Sequence, residues 1–315
     1  MLRFVIGRLL AVVPVLFVVS CVVFLILRLA PGDPAAVIAG SAATNADIEQ
    51  IRSKLGLDHS LPVQFGIWMS QIFKGDLGYS YFMNTPVTEL IAQRLEPTAS
   101  LALGTILLAV TVAVPLGTLA AWKMGGWTDR LLSVVSVAGF SVPVFVTGYV
   151  LIYVFSIWLD WLPVQGYAAF GGKGGITAWA SHLALPWLAL SIIYIALIAR
   201  ITRASVSEAL TEDYIRTARA KGLRETAVIV RHALRNAAVP IVTVIGIGIA
   251  LLIGGVVVTE TVFSIPGLGS LTVDVVLNRD FPVIQGLVMF FALCYVVINF
   301  LVDLSYLILD PRIRY

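Results

Sequence analysis

The chain has 315 residues, of which 59% are hydrophobic and 12% are charged, and its mean hydropathy is +0.96. Because a soluble domain carries about 25% charged residues, this composition excludes a soluble globular protein and indicates one surrounded mostly by lipid. The net charge of +3 does not point to nucleic acid, since membrane orientation accounts for the basic residues. Cys21 and Cys294 lie inside apolar runs, so neither a disulfide framework nor a metal site is expected.

Six apolar runs follow in chain order, each close to the length of about 20 residues that a spanning helix needs. We predict an all-α integral membrane protein, because isolated spans in lipid must satisfy their own backbone hydrogen bonds. The predicted spans are residues 9–27, 99–122, 131–159, 183–199, 237–259 and 283–302. The first is expected to be retained and not cleaved as a signal peptide, since its apolar core is longer than a typical h-region.

The distribution of Lys and Arg predicts the orientation of these spans. With both termini in the cytoplasm, 14 of the 21 basic residues lie inside and 7 lie outside. The predicted cytoplasmic segments are residues 1–8, the short connection 123–130, the loop 200–236 and residues 303–315. The predicted extracytoplasmic segments are residues 28–98, 160–182 and 260–282.

The first outer segment, residues 28–98, is the one sizeable soluble portion that we predict. Residues 31–34 read Pro-Gly-Asp-Pro, which is a turn signal. A helix is expected from Asn45 to Leu57, with Asn45 as its N-cap and Gly56 as its C-terminal stop. A segment of roughly 70 residues is long enough for a small packed cap on the membrane domain and too short for an independent catalytic domain.

The polar loop 200–236 interrupts the apolar sequence with eight basic and four acidic residues. Its helix-capping signals agree with one another and predict a short helix over about residues 212–221. These signals are Thr211 as the cap, Glu212 and Asp213 in the first turn, Arg219 and Lys221 in the last turn, and Gly222 as the left-handed residue. A second helical stretch from about Glu225 is expected to lead into the fifth span, which Pro240 bends. From composition alone, a solvated connector between two spans is an equally weighted alternative.

The loop resembles the cytoplasmic EAA loop of ABC importer permeases, in particular that of the dipeptide/oligopeptide/nickel permease family. Residues 212–222 and 231–237 carry this resemblance. Aligned on Gly222, the chain matches the general EAA form only at Ala218, Gly222 and Leu234, and Arg216 and Thr217 replace its first Glu-Ala. That departure is typical of the peptide-permease subfamily. Residues 29–34, 162–167, 260–269 and 309–315 also resemble segments of that family, and the beginning of the chain resembles its B-type permease.

The resemblance implies the type I importer permease fold, with six transmembrane helices, in the bacterial cytoplasmic membrane. It implies a subunit of an ATP-driven, binding-protein-dependent importer for di- or oligopeptides, with nickel, haem or glutathione as alternative substrates. The implied partners are a second homologous permease, two ATP-binding subunits and an extracytoplasmic solute-binding protein. ATP and Mg²⁺ would be bound by those ATPases, because the lone Gly172-Lys173 pair lacks the rest of a P-loop. We therefore expect no cofactor and no catalysis in this chain.

The resemblance also assigns the loop helix the role of a coupling helix that docks into an ATPase subunit. The residues expected at this coupling site are Tyr214, Arg216, Thr217, Ala218, Arg219, Lys221 and Gly222. Among them, the small Ala218, like its neighbour Ala220, is expected to allow close approach of the partner.

The substrate pathway is less readable from the sequence. Polar groups within spans are functional candidates, although packing between helices is the favoured alternative for each of them. The candidate pathway or gate residues are Ser141, Pro143, Tyr149, Gly246, Gly254 and Glu260. A secondary transporter or channel would show intramembrane carboxylates or inverted repeats, and neither is clear here. A membrane hydrolase is disfavoured because His59 and His182 fall on the opposite side of the membrane from His232.

Overall fold

The computed structural model describes residues 2–29, 35–36, 44–54 and 56–309. The turn signal at residues 31–34 and the C-terminal segment 310–315 therefore lie outside the described residues. Within them the chain is helical almost throughout, apart from one pair of two-residue antiparallel strands.

The elements are numbered in chain order. The first half contains α1 (Leu2–Leu29), α2 (Asn45–Lys54), α3 (Leu61–Phe73), β1 (Tyr79–Ser80), β2 (Thr85–Pro86), α4 (Val87–Trp122), α5 (Trp127–Ser141) and α6 (Val144–Leu151), which continues as a π-helix (Ile152–Trp158). The second half contains α7 (Gly175–Thr211), α8 (Asp213–Ala220), α9 (Glu225–Ala227, a π-helix Val228–Ala233 and Leu234–Asn236), α10 (Ala238–Val262), α11 (Leu268–Leu277) and α12 (Phe281–Leu309).

Five of the described helices are long and apolar enough to cross a membrane, and the bent pair α5 and α6 makes a sixth candidate span. All six predicted apolar runs coincide with these elements, so the chain has the predicted all-α, six-span fold class. The helices extend beyond the apolar runs, because a helix keeps its hydrogen bonds where its side chains become polar. In particular, α4 begins at Val87 in place of residue 99. Residues 200–211, which the sequence assigns to a loop, are the last turns of α7.

The third predicted span, residues 131–159, is broken. Its two halves, α5 and α6, meet at an angle of 101°. Pro143 causes the break because it lacks an N–H for the helical ladder and forces the preceding residue out of the helical region. Val142 accordingly has an extended backbone, with φ −95° and ψ 122°.

The described part of the segment 28–98 contains two short helices and a hairpin. Asn45 is the first helical residue of α2 and not its N-cap, a shift of one position from the prediction. Gly56 adopts φ +64° after that helix, as expected for the residue that stops it. The hairpin pairs Tyr79 with Pro86 and Ser80 with Thr85.

The chain divides into two compact units. One comprises residues 1–96 and 270–296, and the other comprises residues 97–269 and 297–315. In the first, an aromatic cluster joins Phe24 of α1 to Phe65 and Trp68 of α3, with ring centroids 5.3 and 5.8 Å from Phe24. In the second, the core forms where α4, α6, α7 and α10 pack together.

Candidate functional site

The helix α8 begins after one extended residue. Glu212 has φ −72° and ψ 150° and separates α8 from the long helix α7. Thr211, the predicted cap, is instead the last residue of α7, and its hydroxyl donates to the carbonyl of Glu208 at 2.7 Å. The N-cap position therefore belongs to Glu212, whose side chain makes no capping hydrogen bond.

The C-terminal end of α8 is closed as the sequence predicts. Gly222 adopts φ +76°, and its N–H donates to the carbonyl of Arg219 at 2.9 Å. The N–H of Leu223 reaches the carbonyl of Ala218 at 3.4 Å, which completes a Schellman motif. Any residue with a Cβ would be strained at this left-handed position, so glycine fixes where the helix ends.

One face of α8 is buried against other helices of the chain. Ile215 is 0% and Ala218 is 5% exposed, and both belong to an apolar cluster formed with residues of α7, α9 and α10. Burying an isoleucine of this kind contributes about 1.5–3 kcal/mol. This corrects the expectation that Ala218 admits close approach of a partner, because at spacing i, i+3 with Ile215 it faces inward.

The opposite face of α8 is exposed and carries the remaining predicted coupling residues. Tyr214, Arg216, Thr217, Arg219, Lys221 and Gly222 are exposed. Tyr214 is held by a hydrogen bond of 3.4 Å from its hydroxyl to the carbonyl of Ala209. Arg216 lies 3.2 Å from the Asp213 carboxylate, an exposed ion pair that contributes little to stability. The surface that α8 presents is therefore exposed and predominantly basic.

An ion pair joins α8 to α9 across the turn at Gly222. The Arg219 guanidinium donates to both carboxylate oxygens of Glu225, at 2.6 Å from Nη2 and 3.2 Å from Nε. This hydrogen bonding holds the pKa of the Glu225 carboxyl below its ordinary value and raises the pKa of Arg219. Since both side chains are partly exposed, the pair is worth about 0.2–1 kcal/mol.

The element α9 leads from this turn into α10. Its central part is a π-helix in which Val228 and Ala233 are fully buried in the same apolar cluster as Ile215. The helical run ends at Asn236, and the chain turns at Ala237 before α10 starts. Pro240 lies in the first turn of α10, where its missing N–H cannot continue a helix from α9. One residue, Ala237, thus separates α9 from α10 ahead of the proline, and a bend produced by Pro240 stays a prediction.

An ion pair with a buried carboxylate, which the sequence did not predict, connects α5 to α7. The Asp129 carboxylate, which is 6% exposed, accepts hydrogen bonds from Nε of Arg203 and, at 2.9 Å, from its Nη2. The N–H of Gly125 donates to the same carboxylate at 2.9 Å. From the sequence, Arg203 was identified only as one of the eight basic residues of the loop 200–236. The available signal was Asp129, a lone acid at the start of an apolar run.

The candidate pathway residues are spread over several elements. Ser141 and Pro143 lie together at the bend between α5 and α6, and Tyr149 is exposed on α6. Gly246 is buried on α10, where an added Cβ would collide with the side chain of Val302 on α12. Gly254 is exposed, with no atom near a Cβ added there. The geometry therefore gives Gly246 a role in helix packing, and the lining of a pathway stays a prediction for the others.

Glu260, the last pathway candidate, is enclosed by its own connection to α11. Its side chain is 0% exposed, and Oε1 accepts a hydrogen bond of 2.6 Å from the Thr98 hydroxyl. The same hydroxyl oxygen accepts one of 2.7 Å from the N–H of Leu268. A Cβ at Gly267 or Gly269 would collide with the carboxylate, which explains the two glycines in this segment. Glu260 thus holds the connection between α10 and α11 in place.

Solved structures show what fold this arrangement belongs to. A chain described as the inward-facing MetNI methionine ABC transporter matches it with a TM-score of 0.59 at 16% identity. The match covers 70% of this chain and 96% of that chain. At this identity the likeness shows the fold alone, which is the type I importer permease fold.

Family models and curated relatives account for nearly the whole chain. Residues 113–315 match the model described as binding-protein-dependent transport system inner membrane component, and residues 1–102 match the N-terminal model of such membrane components. A probable peptide ABC transporter permease of Sinorhizobium fredii is 54% identical, over 99% of both chains. The glutathione transport system permease proteins GsiC of Escherichia coli and Pectobacterium atrosepticum are 45% and 44% identical, over 100% of both chains.

Proposed function

The chain belongs to the family of binding-protein-dependent transport system inner membrane components, and we propose that it forms half of the translocation pathway of an importer for short peptides. It is a permease subunit of an ABC importer and an integral protein of the inner membrane. Such a subunit works together with ATPase and solute-binding subunits. The partners that we propose are one homologous, non-identical permease, two ATPases and one extracytoplasmic solute-binding protein, with both termini of this chain in the cytoplasm.

Relatives of this length and identity support a short peptide as the substrate. The Sinorhizobium fredii relative is named for peptide transport and the Escherichia coli relative for glutathione transport. Glutathione is itself a tripeptide with free carboxylates and a free amine, so the two candidates share one chemistry. We place peptides first because the Sinorhizobium fredii relative has the higher identity.

The coupling proposal rests on the way in which α8 packs against the rest of the chain. Two buried side chains, Ile215 and Ala218, hold one face of the helix, while its opposite face remains basic and exposed. A helix fixed in this way can transmit the movement of an attached ATPase to the spans, which a mobile loop could not do. We assign Tyr214, Arg216, Thr217, Arg219, Lys221 and Gly222 to the docking surface. Ala218 lies on the buried face of the helix and is not part of this surface.

The chain itself is proposed to hydrolyse no ATP. Its sequence has no complete P-loop, whose backbone amides would cradle phosphates. Groups of His, Cys, Asp and Glu that could hold a metal ion are absent from the described residues. In this proposal the energy for transport comes from the partner ATPases alone.

The docking surface is tested by reversing its charge in the complete importer. Arg216→Glu combined with Lys221→Glu leaves the buried face of α8 unchanged and replaces the basic surface. We expect the amount of ATPase that copurifies with the permease to fall at least about tenfold, as for the loss of a pair of charged contacts. Lys173→Glu, which changes an exposed lysine outside the 200–236 loop, is the matched control. Full ATPase recovery with the double variant would count against docking at α8.

Import by the reconstituted complex tests the proposed function as a whole. A permease of this class should take up a labelled tripeptide into proteoliposomes only when ATP, both ATPases and the solute-binding protein are present. A channel or a secondary transporter would transport it without the ATPases.

A further inference from the structure

The unit formed by residues 1–96 and 270–296 contains a cavity of about 610 Å³. Its described walls come from α1, α2, α3, the hairpin of β1 and β2, and the start of α12. This volume falls within the range of about 300–1,000 Å³ that small-molecule sites occupy. The side chains in its walls indicate what kind of molecule it takes.

Arg28 is fixed in the wall of this cavity. Its Nε donates to Oε1 of Gln64 at 3.0 Å, and its guanidinium lies 4.5 Å from the centre of the Phe24 ring. Gln64 is in turn held by hydrogen bonds from its Nε2 to the carbonyls of Leu57 and His59, at 3.1 and 2.8 Å. Among the described residues, no other hydrogen bond or ion pair uses the two terminal nitrogens of Arg28. They form the planar pair of donors that binds a carboxylate with two hydrogen bonds.

The charge of Arg28 is not neutralised within the described part of the chain. The ion pairs found there involve other arginines. Burial lowers the pKa of the Arg28 guanidinium, which shows that its surroundings disfavour a cation without a counter-ion. An anionic ligand group would relieve this cost.

Gln285 supplies a second unsatisfied donor in the same wall. Its side chain is 7% exposed, and its Nε2 has no hydrogen-bond partner among the residues described. Buried amide groups are almost always hydrogen-bonded, because leaving one unpaired costs its full desolvation. A carbonyl or carboxylate oxygen in the cavity would satisfy this group.

The rest of the lining adds a carboxylate and aromatic rings. Asp76 is exposed, and in the described part of the chain its one hydrogen bond is accepted by Oδ1 from the N–H of Gly78 at 2.9 Å. Tyr79 and Tyr81 lie edge to face with their ring centroids 5.5 Å apart, and Trp68 also lines the cavity. The cavity therefore offers cationic and amide donors, a separate carboxylate and apolar rings, which together match a zwitterion with an apolar body.

We propose that this cavity binds a short peptide with free termini directly on the permease. Arg28 and Gln285 bind its carboxylate and carbonyl oxygens, Asp76 binds its ammonium group, and the aromatic rings contact its side chains. This inference rests on the proposed function, because it takes peptides as the substrate class and places residues 28–98 on the extracytoplasmic side of the membrane. It adds a substrate site within the permease itself, separate from the solute-binding protein.

Direct binding tests the site. The complete permease and ATPase complex is placed in phosphatidylcholine nanodiscs without the solute-binding protein, and radiolabelled trialanine is titrated. We expect saturable binding that Arg28→Gln and Gln285→Leu each weaken at least about tenfold, as for the loss of a hydrogen bond to a charged group. Trialanine amide should bind the unmodified protein as weakly as trialanine binds Arg28→Gln. Lys74→Gln, an exposed cation of the same unit that does not line the cavity, should leave binding unchanged.

A surface variant keeps the test informative if a buried substitution fails to fold. Asp76→Asn changes an exposed side chain and should weaken trialanine binding while leaving the binding of N-acetyl-trialanine unchanged. Equal trialanine affinity in the unmodified protein, Asp76→Asn and Lys74→Gln would overturn the site. So would Arg28-dependent retention of phosphatidylglycerol without trialanine binding, because the anion would then be a lipid phosphate.

Import of trialanine by the complete importer separates the two proposals. If the unmodified importer transports trialanine and the Arg28→Gln variant binds it equally well, the site is overturned and the importer function stands. If trialanine binds in an Arg28-dependent manner and no peptide is imported, the site stands and peptide import is overturned.

Discussion

Single glycines determine how the connection between α10 and α11 closes around Glu260. The carboxylate is fully buried, and a Cβ at Gly269 would lie 2.9 Å from its Oε2 and 2.6 Å from the Cα of Val257. The second of these contacts is with backbone, which cannot move aside as a flexible side chain can. Glycine is therefore required at position 269 because close packing leaves no room for a Cβ. Its φ is not in the left-handed region, so backbone conformation is not the reason.

Gly269→Ala should therefore destabilise the permease. An extra methyl group in a packed site costs about 1–3 kcal/mol, so the thermal unfolding midpoint of the purified protein should fall by several degrees. Gly254→Ala on α10 is the matched control, because nothing lies within 4 Å of a Cβ added there. Differential scanning fluorimetry in detergent measures both variants. Identical midpoints for the two would show that the connection accommodates a side chain.

Among the elements, α8 and α9 form one compact loop structure. They share an apolar cluster through Ile215 and Val228, and a Schellman motif at Gly222 fixes the turn between them. The exposed pair of Arg219 and Glu225 then joins the two elements on the outer side of that turn. The apolar cluster supplies most of the stability, and the ion pair helps to fix the orientation of α8 relative to α9.

The contribution of this pair should depend on pH. Arg219 lowers the folded-state pKa of Glu225, so the stabilisation is present above the unfolded-state pKa and disappears as the pH falls through the folded-state value. Glu225→Gln should thus destabilise the loop by about 0.2–1 kcal/mol at pH 7 and by nothing at a pH below both values. Hydrogen exchange of the α8 amides at the two pH values measures this. Restoration by Arg219→Glu with Glu225→Arg would establish the direct pairing, and a pH-independent difference would contradict it.

The elements that the sequence predicts well are those fixed by local chemistry. The apolar runs match the candidate spans, and Gly222 ends α8 where its left-handed conformation requires. Hydropathy reports contact with lipid and not backbone hydrogen bonding, so it places the end of α7 at residue 199 although the helix continues to Thr211. The π-helices within α6 and α9 have no pattern of their own in the sequence.

The candidate site shows the same division between local and distant causes. The bounds of α8 follow from residues near its ends, whereas the inward direction of Ala218 depends on the position of α7 and α10. The pair of Asp129 and Arg203 joins residues 74 positions apart, so no spacing rule could have found it. Arg28 and Gln285, in the wall of the cavity, come together only in the folded unit.

Across the whole molecule, one structural path leads from the spans to the exposed surface of α8. The helix α7 continues without interruption from the core of its unit to Thr211, and one extended residue, Glu212, connects it to α8. The buried pair of Arg203 and Asp129 fixes α7 to α5 just before this point. We therefore expect a force applied to α8 to reach α7 and, through Arg203, the first half of the bent span.

Weakening the packing of the buried face of α8 should uncouple ATP hydrolysis from transport in the assembled importer. Ile215→Ala removes a fully buried side chain at a cost of about 2–5 kcal/mol and leaves the exposed docking surface unchanged. We therefore expect the ATPases to remain bound while the number of tripeptides imported per ATP hydrolysed falls several-fold. Val230→Ala on α9 is the matched control, since it shortens an exposed apolar side chain of the same loop outside the proposed docking surface. In this proposal the exposed face of α8 binds the ATPase, and its buried face transmits the movement to the spans. If Ile215→Ala left the number of tripeptides imported per ATP unchanged, the movement would have to reach the spans by another route.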